Sequence, residues 1–411
     1  MRCPMRAVLI ARALPVSALT LLLAACSGGG GGSGPHVVVG AAGIASGGLG
    51  TCAVGGTGSL VCWGAVPAGS TTDTTIGVPV ALGAVPVTTP APLNAIALSK
   101  SLVAATGCVV AETGQTYCWG ALDVDGGGTL ALGAGLTALA GATSASSVAI
   151  DPGHLCVART DDLVRCFGEY LGGARGTDSV DLSTSPPATL VANGLSPALA
   201  AFGTAQGHAF GCALRTDSLI ACWGARDHGQ TGGAATDTVQ NCGGASANWC
   251  QRGPALVLGG AKYRQLSAAA DHACATRITG EVDCWGAKPG VVSCATAADC
   301  PAIPTQVALP GAAVRVVVGN AHECALLATG AAYCWGDNAF GQLGRTGASS
   351  STPVAVSGGY VFVTLSAGAD HTCGIELGSG AVGCWGANDH GQLGDGTLVN
   401  KDRPVAVVVA Q

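Results

Sequence analysis

The sequence predicts an all-β fold: a β-propeller of seven four-stranded blades, with one cross-strand disulfide in each blade. Three observations predict it. A Cys-aromatic-Gly step returns seven times, at Cys62-Trp63-Gly64, Cys118-Trp119-Gly120, Cys166-Phe167-Gly168, Cys222-Trp223-Gly224, Cys284-Trp285-Gly286, Cys334-Trp335-Gly336 and Cys384-Trp385-Gly386. A period of about 50 residues is the range of repeat arrays and propellers. Each of these cysteines follows another, Cys52, Cys108, Cys156, Cys212, Cys274, Cys324 or Cys373, by ten residues, or by eleven in the last copy. The composition is low in charge and in aromatics and rich in Gly, Ala, Val and Thr, as in chains of many short strands and tight turns.

The chain begins with a charged stretch (Arg2, Arg6, Arg12), an apolar run from Val16 to Ala25 and small residues before Cys26. That is the layout of a secretory signal. Arg12 and Pro15 interrupt the apolar run, leaving it too short for a membrane-spanning helix. Leu23-Ala-Ala-Cys26 resembles the lipobox of bacterial lipoproteins, which implies cleavage before Cys26 and lipidation of that residue. Ser27 to Gly34 is nearly all glycine, a flexible tether. The expected organisation is therefore a signal over 1–25, lipidated Cys and tether over 26–35, and the propeller over 36–411.

Loss of the signal leaves 15 of the 18 basic residues against 24 acidic ones, a net charge near −9. Nucleic-acid binding needs a basic face and is not expected. Setting aside Cys3 and Cys26, the 20 cysteines leave the seven repeat pairs plus Cys242 with Cys250 and Cys294 with Cys300. Disulfides persist outside the cytoplasm, so the cysteines and the export signal support each other.

Within a copy, the residues between the two cysteines read as two strands around a three-residue loop, as in Cys274-Ala-Thr-Arg, Ile278-Thr-Gly280 and Glu281-Val-Asp-Cys284. Such a loop wants a residue tolerant of positive φ at its last position. Gly58, Gly114, Asp162, Ser218, Gly280, Gly330 and Gly380 stand there. This register puts the two cysteines opposite one another at a non-hydrogen-bonded site, within disulfide reach. Metal sites of thiolates need four converging ligands, whereas each copy offers two cysteines and an occasional His. Two further strands per copy, such as Pro304 to Val307 and Val316 to Gly319, complete a four-stranded blade of about 54 residues. Ring closure is expected from Val37 to Val39 and Val405 to Val409 sharing one sheet.

His371-x-Cys373, Cys384-Trp385-Gly386-Ala-Asn388 and Gly391-Gln-Leu-Gly394 resemble the repeat of the regulator of chromosome condensation family, which implies a seven-bladed β-propeller over 36–411. The first three copies lack Gly-Gln-Leu-Gly, the first two lack the His, and Phe167 replaces Trp. Similar propellers act as a guanine-nucleotide exchange factor for a small nuclear GTPase, and similar secreted bacterial repeats inhibit β-lactamases. The exchange activity does not suit an exported chain. The inhibitor role does.

The motif tryptophans are expected to pack between blades. His154, His272, His322 and His371, each two before the first Cys, are expected to repeat one structural hydrogen bond rather than to form a metal or proton-transfer ring. No Gly-x-Ser-x-Gly, His-Glu-x-x-His or phosphate loop occurs, and no enzyme activity, cofactor or metal is expected; a hydrolase is the weakest alternative. Residues that do not recur, among them Tyr170, Asp227 and Phe340, carry more functional information. Two insertions, Arg226 to Ala261 and Lys288 to Pro304, follow successive Cys-Trp-Gly steps and are expected to meet in one patch, with Trp249, Arg252 and Arg226 as partner-binding residues. The expected function is a monomeric scaffold of the cell envelope, held at the outer membrane by lipid, that binds an unknown protein or envelope macromolecule.

Overall fold

The computed structural model describes residues 40–65, 80–100, 106–124, 128–139, 142–150, 154–160, 164–168, 189–191, 197–205, 208–233, 240–241, 249–289 and 299–408, with backbone alone for parts of several strands. The signal, Cys26 and the tether lie outside these residues, as do Val37 to Val39, Cys242 and Cys294.

Every described element is a strand, and every sheet is an antiparallel meander. Sheet 1 runs Ala41–Ser46, Gly50–Gly55, Leu60–Ala65, Val80–Val87. Sheet 2 runs Leu93–Leu98, Gly107–Ala111, Thr116–Val124, Gly128–Ala138, and sheet 3 runs Ala145–Ile150, His154–Arg159, Val164–Gly168, Thr189–Val191. Sheets 5, 6 and 7 begin at Tyr263–Ala269, Ala313–Val318 and Phe362–Ala367 and end at Thr305–Val307, Ser350–Ala355 and Lys401–Ala406. First strands pack against first strands from one sheet to the next, and that of sheet 7 packs against that of sheet 1, so they line the axis of a closed ring.

Sheet 4 departs from the pattern. After Pro197–Ala205, His208–Arg215 and Ile220–Ala225, its outer strand is Trp249–Leu256, and Gln240–Asn241 pairs outside that. The expectation of seven four-stranded blades is corrected accordingly: six blades have four strands. The insertion after Arg226 supplies both the outer strand of sheet 4 and a fifth strand beyond it.

The cysteine register is as expected. Cys52 faces Cys62, Cys108 faces Cys118, Cys212 faces Cys222, Cys274 faces Cys284, Cys324 faces Cys334 and Cys373 faces Cys384. All six pairs are disulfides, with Cα atoms 4.0 to 4.1 Å apart. Cys156 faces Cys166 in the same register and is itself disulfide-bonded, as are Cys250 and Cys300. The loop position before each second cysteine also behaves as its chemistry requires: φ is +76° at Gly58, +66° at Ser218, +83° at Gly330 and +64° at Gly380.

Three hydrogen bonds recur between neighbouring sheets. The turn carbonyl accepts from the first strand of the next sheet, as in Ala313 N to Gly280 O (2.8 Å) and Phe362 N to Gly330 O (2.8 Å). The motif Trp donates to the Gln carbonyl of the preceding sheet: Trp285 to Gln230 (2.9 Å) and Trp385 to Gln342 (3.0 Å). The motif His reaches the residue before the first Cys of the next sheet, as His322 Nε2 does to Thr372 Oγ1 (2.8 Å).

The same three bonds close the ring: Ala41 N to Gly380 O (3.4 Å), Trp63 Nε1 to Gln392 O (2.9 Å) and His371 Nε2 with Thr51 Oγ1 (2.8 Å). The expected sharing of one sheet by the two ends rests on Val37 to Val39, which lie outside the described residues; the described strands nearest the ends lie in sheets 1 and 7. With every other joint made by side-on packing, the last one uses that packing too.

Candidate functional site

The Gln of Gly-Gln-Leu-Gly shapes its turn from inside. Gln342 Oε1 accepts from Phe340 N (2.8 Å) and its amide donates to Asp337 (2.9 Å); Gln392 does the same with His390 and Asp389. In sheet 4, Gln230 bonds His228 N (2.8 Å) and Asp227 (3.1 Å). In two of these turns the first glycine lies against the following sheet. A Cβ on Gly229 would stand 2.8 Å from Ala302 Cα, and one on Gly341 would stand 2.7 Å from Asp402 Cα.

The two insertions do meet at Gly229 and Ala302, where the second folds back on sheet 5 through Gly286 N to Pro301 O (2.9 Å) and Lys288 N to Asp299 O (2.8 Å). Cys250 and Cys300 are buried, so each insertion has a disulfide foot in the protein. The placement of Trp249 and Arg252 in a loop is corrected: both belong to the outer strand Trp249–Leu256, where Trp249 faces Asn241. A long insertion with a disulfide gains more by pairing its backbone to the sheet edge than by standing clear of it. The side chains of Trp249 and Arg252 lie outside the described residues. Arg226 is half-buried at the start of the Gly229 turn and is engaged within the chain.

The axis carries a polar belt. His272, His322 and His371 are buried. Burial pushes all three imidazoles down to about 3, with Lys100 adding to the effect on His272 and His322. Gly319 and Gly368 make room for two of them, since a Cβ there would meet the ring at 2.3 Å. His272 Nε2 lies 3.3 Å from Glu323 Oε1. Glu323 is buried and its carboxyl is driven well above its ordinary range, so the contact joins two neutral groups rather than an ion pair. Glu323 also approaches Cys274 and Cys284, but those sulfurs are bonded to each other and are not thiolate ligands.

Lys100 was not singled out from the sequence. Its ammonium crosses from sheet 2 to the carbonyls of Ala268 (3.2 Å) and Val318 in sheets 5 and 6, and burial lowers it to about 7. A signal existed: Lys100 follows the first strand of sheet 2, where Asn320 and Ala369 stand in sheets 6 and 7.

A second concavity opens between sheets 6 and 7. It encloses about 490 Å³, bounded by the Asn338–Gly347 turn and by Asn400–Val405. Arg345, Lys401 and Arg403 line it with one carboxylate, Asp402. Phe340 stands at its rim, 43% exposed.

Comparison with known proteins bears on the repeat. A description of the regulator of chromosome condensation (RCC1) repeat matches residues 329–375, and a second description of that repeat matches 313–342. The matched stretch, 313–375, covers sheet 6 and reaches into the second strand of sheet 7. Among solved structures, human WBSCR16 superposes with a TM-score of 0.66 at 16% identity, covering 85% of this chain and 94% of that one. Prp20p of Saccharomyces cerevisiae gives 0.60 at 16% identity, covering 79% and 80%. Yeast RCC1 (Prp20) bound to Kap60 gives 0.58 at 18%, covering 79% and 78%. At these identities the likeness is one of fold: an RCC1-like β-propeller.

Proposed function

We propose that this chain is an exported, lipid-anchored propeller of the RCC1 repeat family, which binds another protein of the cell envelope through its turn and insertion surfaces. The carrying observation is the disulfide in each described sheet hairpin, which suits an oxidising compartment and a rigid ring. The chain is lipidated at Cys26 and rides on a glycine tether. Its insertions, anchored by Cys250 and Cys300, converge beside the Gly229 turn and make sheets 4 and 5 unlike the others. The buried imidazoles are spent on joints between sheets, which favours binding over catalysis. Prp20p, whose fold is similar, has binding properties to Gsp1p and histones; for the present chain that likeness supports scaffolding and names no partner.

Affinity capture from the native envelope followed by mass spectrometry tests the proposal. A specific protein should co-purify with the tagged chain, and Trp249→Ala should weaken its capture while leaving the melting temperature nearly unchanged. Cys26→Ser should release the chain from membranes. Absence of any specific partner, or a Ser variant still membrane-bound after a salt wash, would overturn the respective part.

A further inference from the structure

The concavity between sheets 6 and 7 sits where a turn meets the next sheet, a joint that also occurs between sheets 4 and 5. In both places the first glycine of a turn sits against the following sheet, Gly229 on Ala302 and Gly341 on Asp402. At sheets 6 and 7, the residues beyond that contact bound an open volume of about 490 Å³.

Its walls are held in place. Asn338 Nδ2 donates to the carbonyls of Arg345 (3.1 Å) and Gly347 (2.7 Å), and Phe340 N is fixed by Gln342. On the facing side, Asn388 Nδ2 holds the Val399 carbonyl (3.2 Å) and Asn400 Oδ1 accepts from Asn388 N (2.8 Å). Little ordering is then left for a ligand to bring about.

The charge of the groove opposes that of the chain. Three cations and one carboxylate line it, in a protein of formal net charge −6. Lys401 is paired with Asp395 (3.2 Å) and Arg403 with Asp402 (3.2 Å). Among the described residues, Arg345 makes no contact with a carboxylate; its Nε donates to Thr346 O (3.0 Å). A guanidinium whose Nη fork is left over is matched by a carboxylate, which it can take in two parallel bonds. Beside the cations, Phe340 lines the groove and is 43% exposed, and Val405 lines it as well.

The outer strand Lys401–Ala406 is a sheet edge, but its register breaks opposite Cys384 and Gly386, and Pro404 lies in it. Proline and a bulge block strand addition, so a ligand docks by side chains within the groove.

We propose, building on the scaffold reading, that this groove takes an extended acidic segment of a partner protein, with one carboxylate on Arg345 and an apolar side chain against Phe340. The test uses the purified chain and fluorescein-labelled peptides in an anisotropy titration. One peptide alternates Asp and Glu with Phe; its control carries Lys in place of each acid. The acidic peptide should bind, more weakly as salt rises, and the basic one should not. Arg345→Glu should lower affinity about tenfold or more with an unchanged melting temperature. If Arg345→Glu proves unstable, Arg403→Glu on the exposed rim supplies the charge test and should weaken binding in the same direction. Equal binding of the two peptides, an affinity indifferent to these changes, or saturable binding of a sulfated oligosaccharide with none of the acidic peptide would overturn the inference. Native capture that Arg345→Glu leaves intact removes the groove and keeps the scaffold; acidic-peptide binding without any native partner removes the scaffold reading alone.

Discussion

Acidification should unfasten the ring at its histidines, and His322→Gln isolates the effect. The imidazole of His322 is fully buried, bonded through Nε2 to Thr372 across a sheet boundary, and lowered to about 3 from an ordinary 6.5. A group depressed in the folded state contributes stability that is complete above its unfolded value and is lost as pH falls toward the folded one. The window therefore runs from about pH 6.5 down to about 3. At about pH 4.5 the unfolded chain has gained roughly 2 to 3 kcal/mol per such histidine. Three of them would claim much of a typical 5 to 15 kcal/mol. Glu323, raised well above its range, and Asp370, raised to about 6 by burial and by Asp337 and Asp389, act in the opposite sense, since their folded forms prefer the proton. The wild-type curve is thus a sum, and the variant is needed to read one part of it. Gln can keep a donor to Thr372 and does not titrate. Urea unfolding of the disulfide-intact protein from about pH 7 to 4.5 should show the variant weaker by about 1 kcal/mol at the neutral end and equal or stronger at the acid end. Parallel curves would refute the reasoning.

Other perturbations test the joints. Trp63→Phe deletes the bond to the Gln392 carbonyl that helps close the ring and should cost about 1 to 2 kcal/mol, seen by calorimetry as a fall of a few degrees; Trp285→Phe should cost a similar amount if the closing joint is built like the others. Ser218 holds φ +66°, so Ser218→Gly should be neutral or stabilising by up to about 1 kcal/mol. Gly380→Ala, at φ +64° with its new Cβ 2.9 Å from Gly40 N, should cost more than about 1 kcal/mol, read from urea unfolding. Replacing Cys274 and Cys284 together by Ser should cost at most about 2 to 3 kcal/mol, measured the same way, because the loop they close is short.

The sequence was most informative where one physical constraint repeats. A three-residue turn needs positive φ at one place, and that place was visible as glycine or Ser218 before any strand could be paired. The cysteine register followed from the turn. The joints between sheets were only half visible: His322 and Trp385 marked themselves by recurrence, but their partners, Thr372 and the Gln342 carbonyl, lie about a repeat away and nothing local ties them together. Trp249 was misplaced because Trp-Cys-Gln-Arg has no alternation to mark a strand; its pairing to Asn241, and that of Cys250 to Ala225 and Gln240, comes from the sheet edge, not from propensity. The groove beside Phe340 was out of reach for a related reason, since Arg345 and Arg403 are 58 positions apart and meet only because successive sheets pack side by side.

The account depends most on export, because disulfides, lipid and envelope partner stand or fall together. Non-reducing peptide mapping of the chain isolated from native membranes tests it directly. The predicted map has every hairpin pair linked within its own copy, Cys156 to Cys166 included, Cys242 joined to Cys250 and Cys294 to Cys300, and an amino-terminal peptide that begins at a lipid-modified Cys26. Free thiols, links between copies, or a chain still carrying residues 1–25 would contradict it.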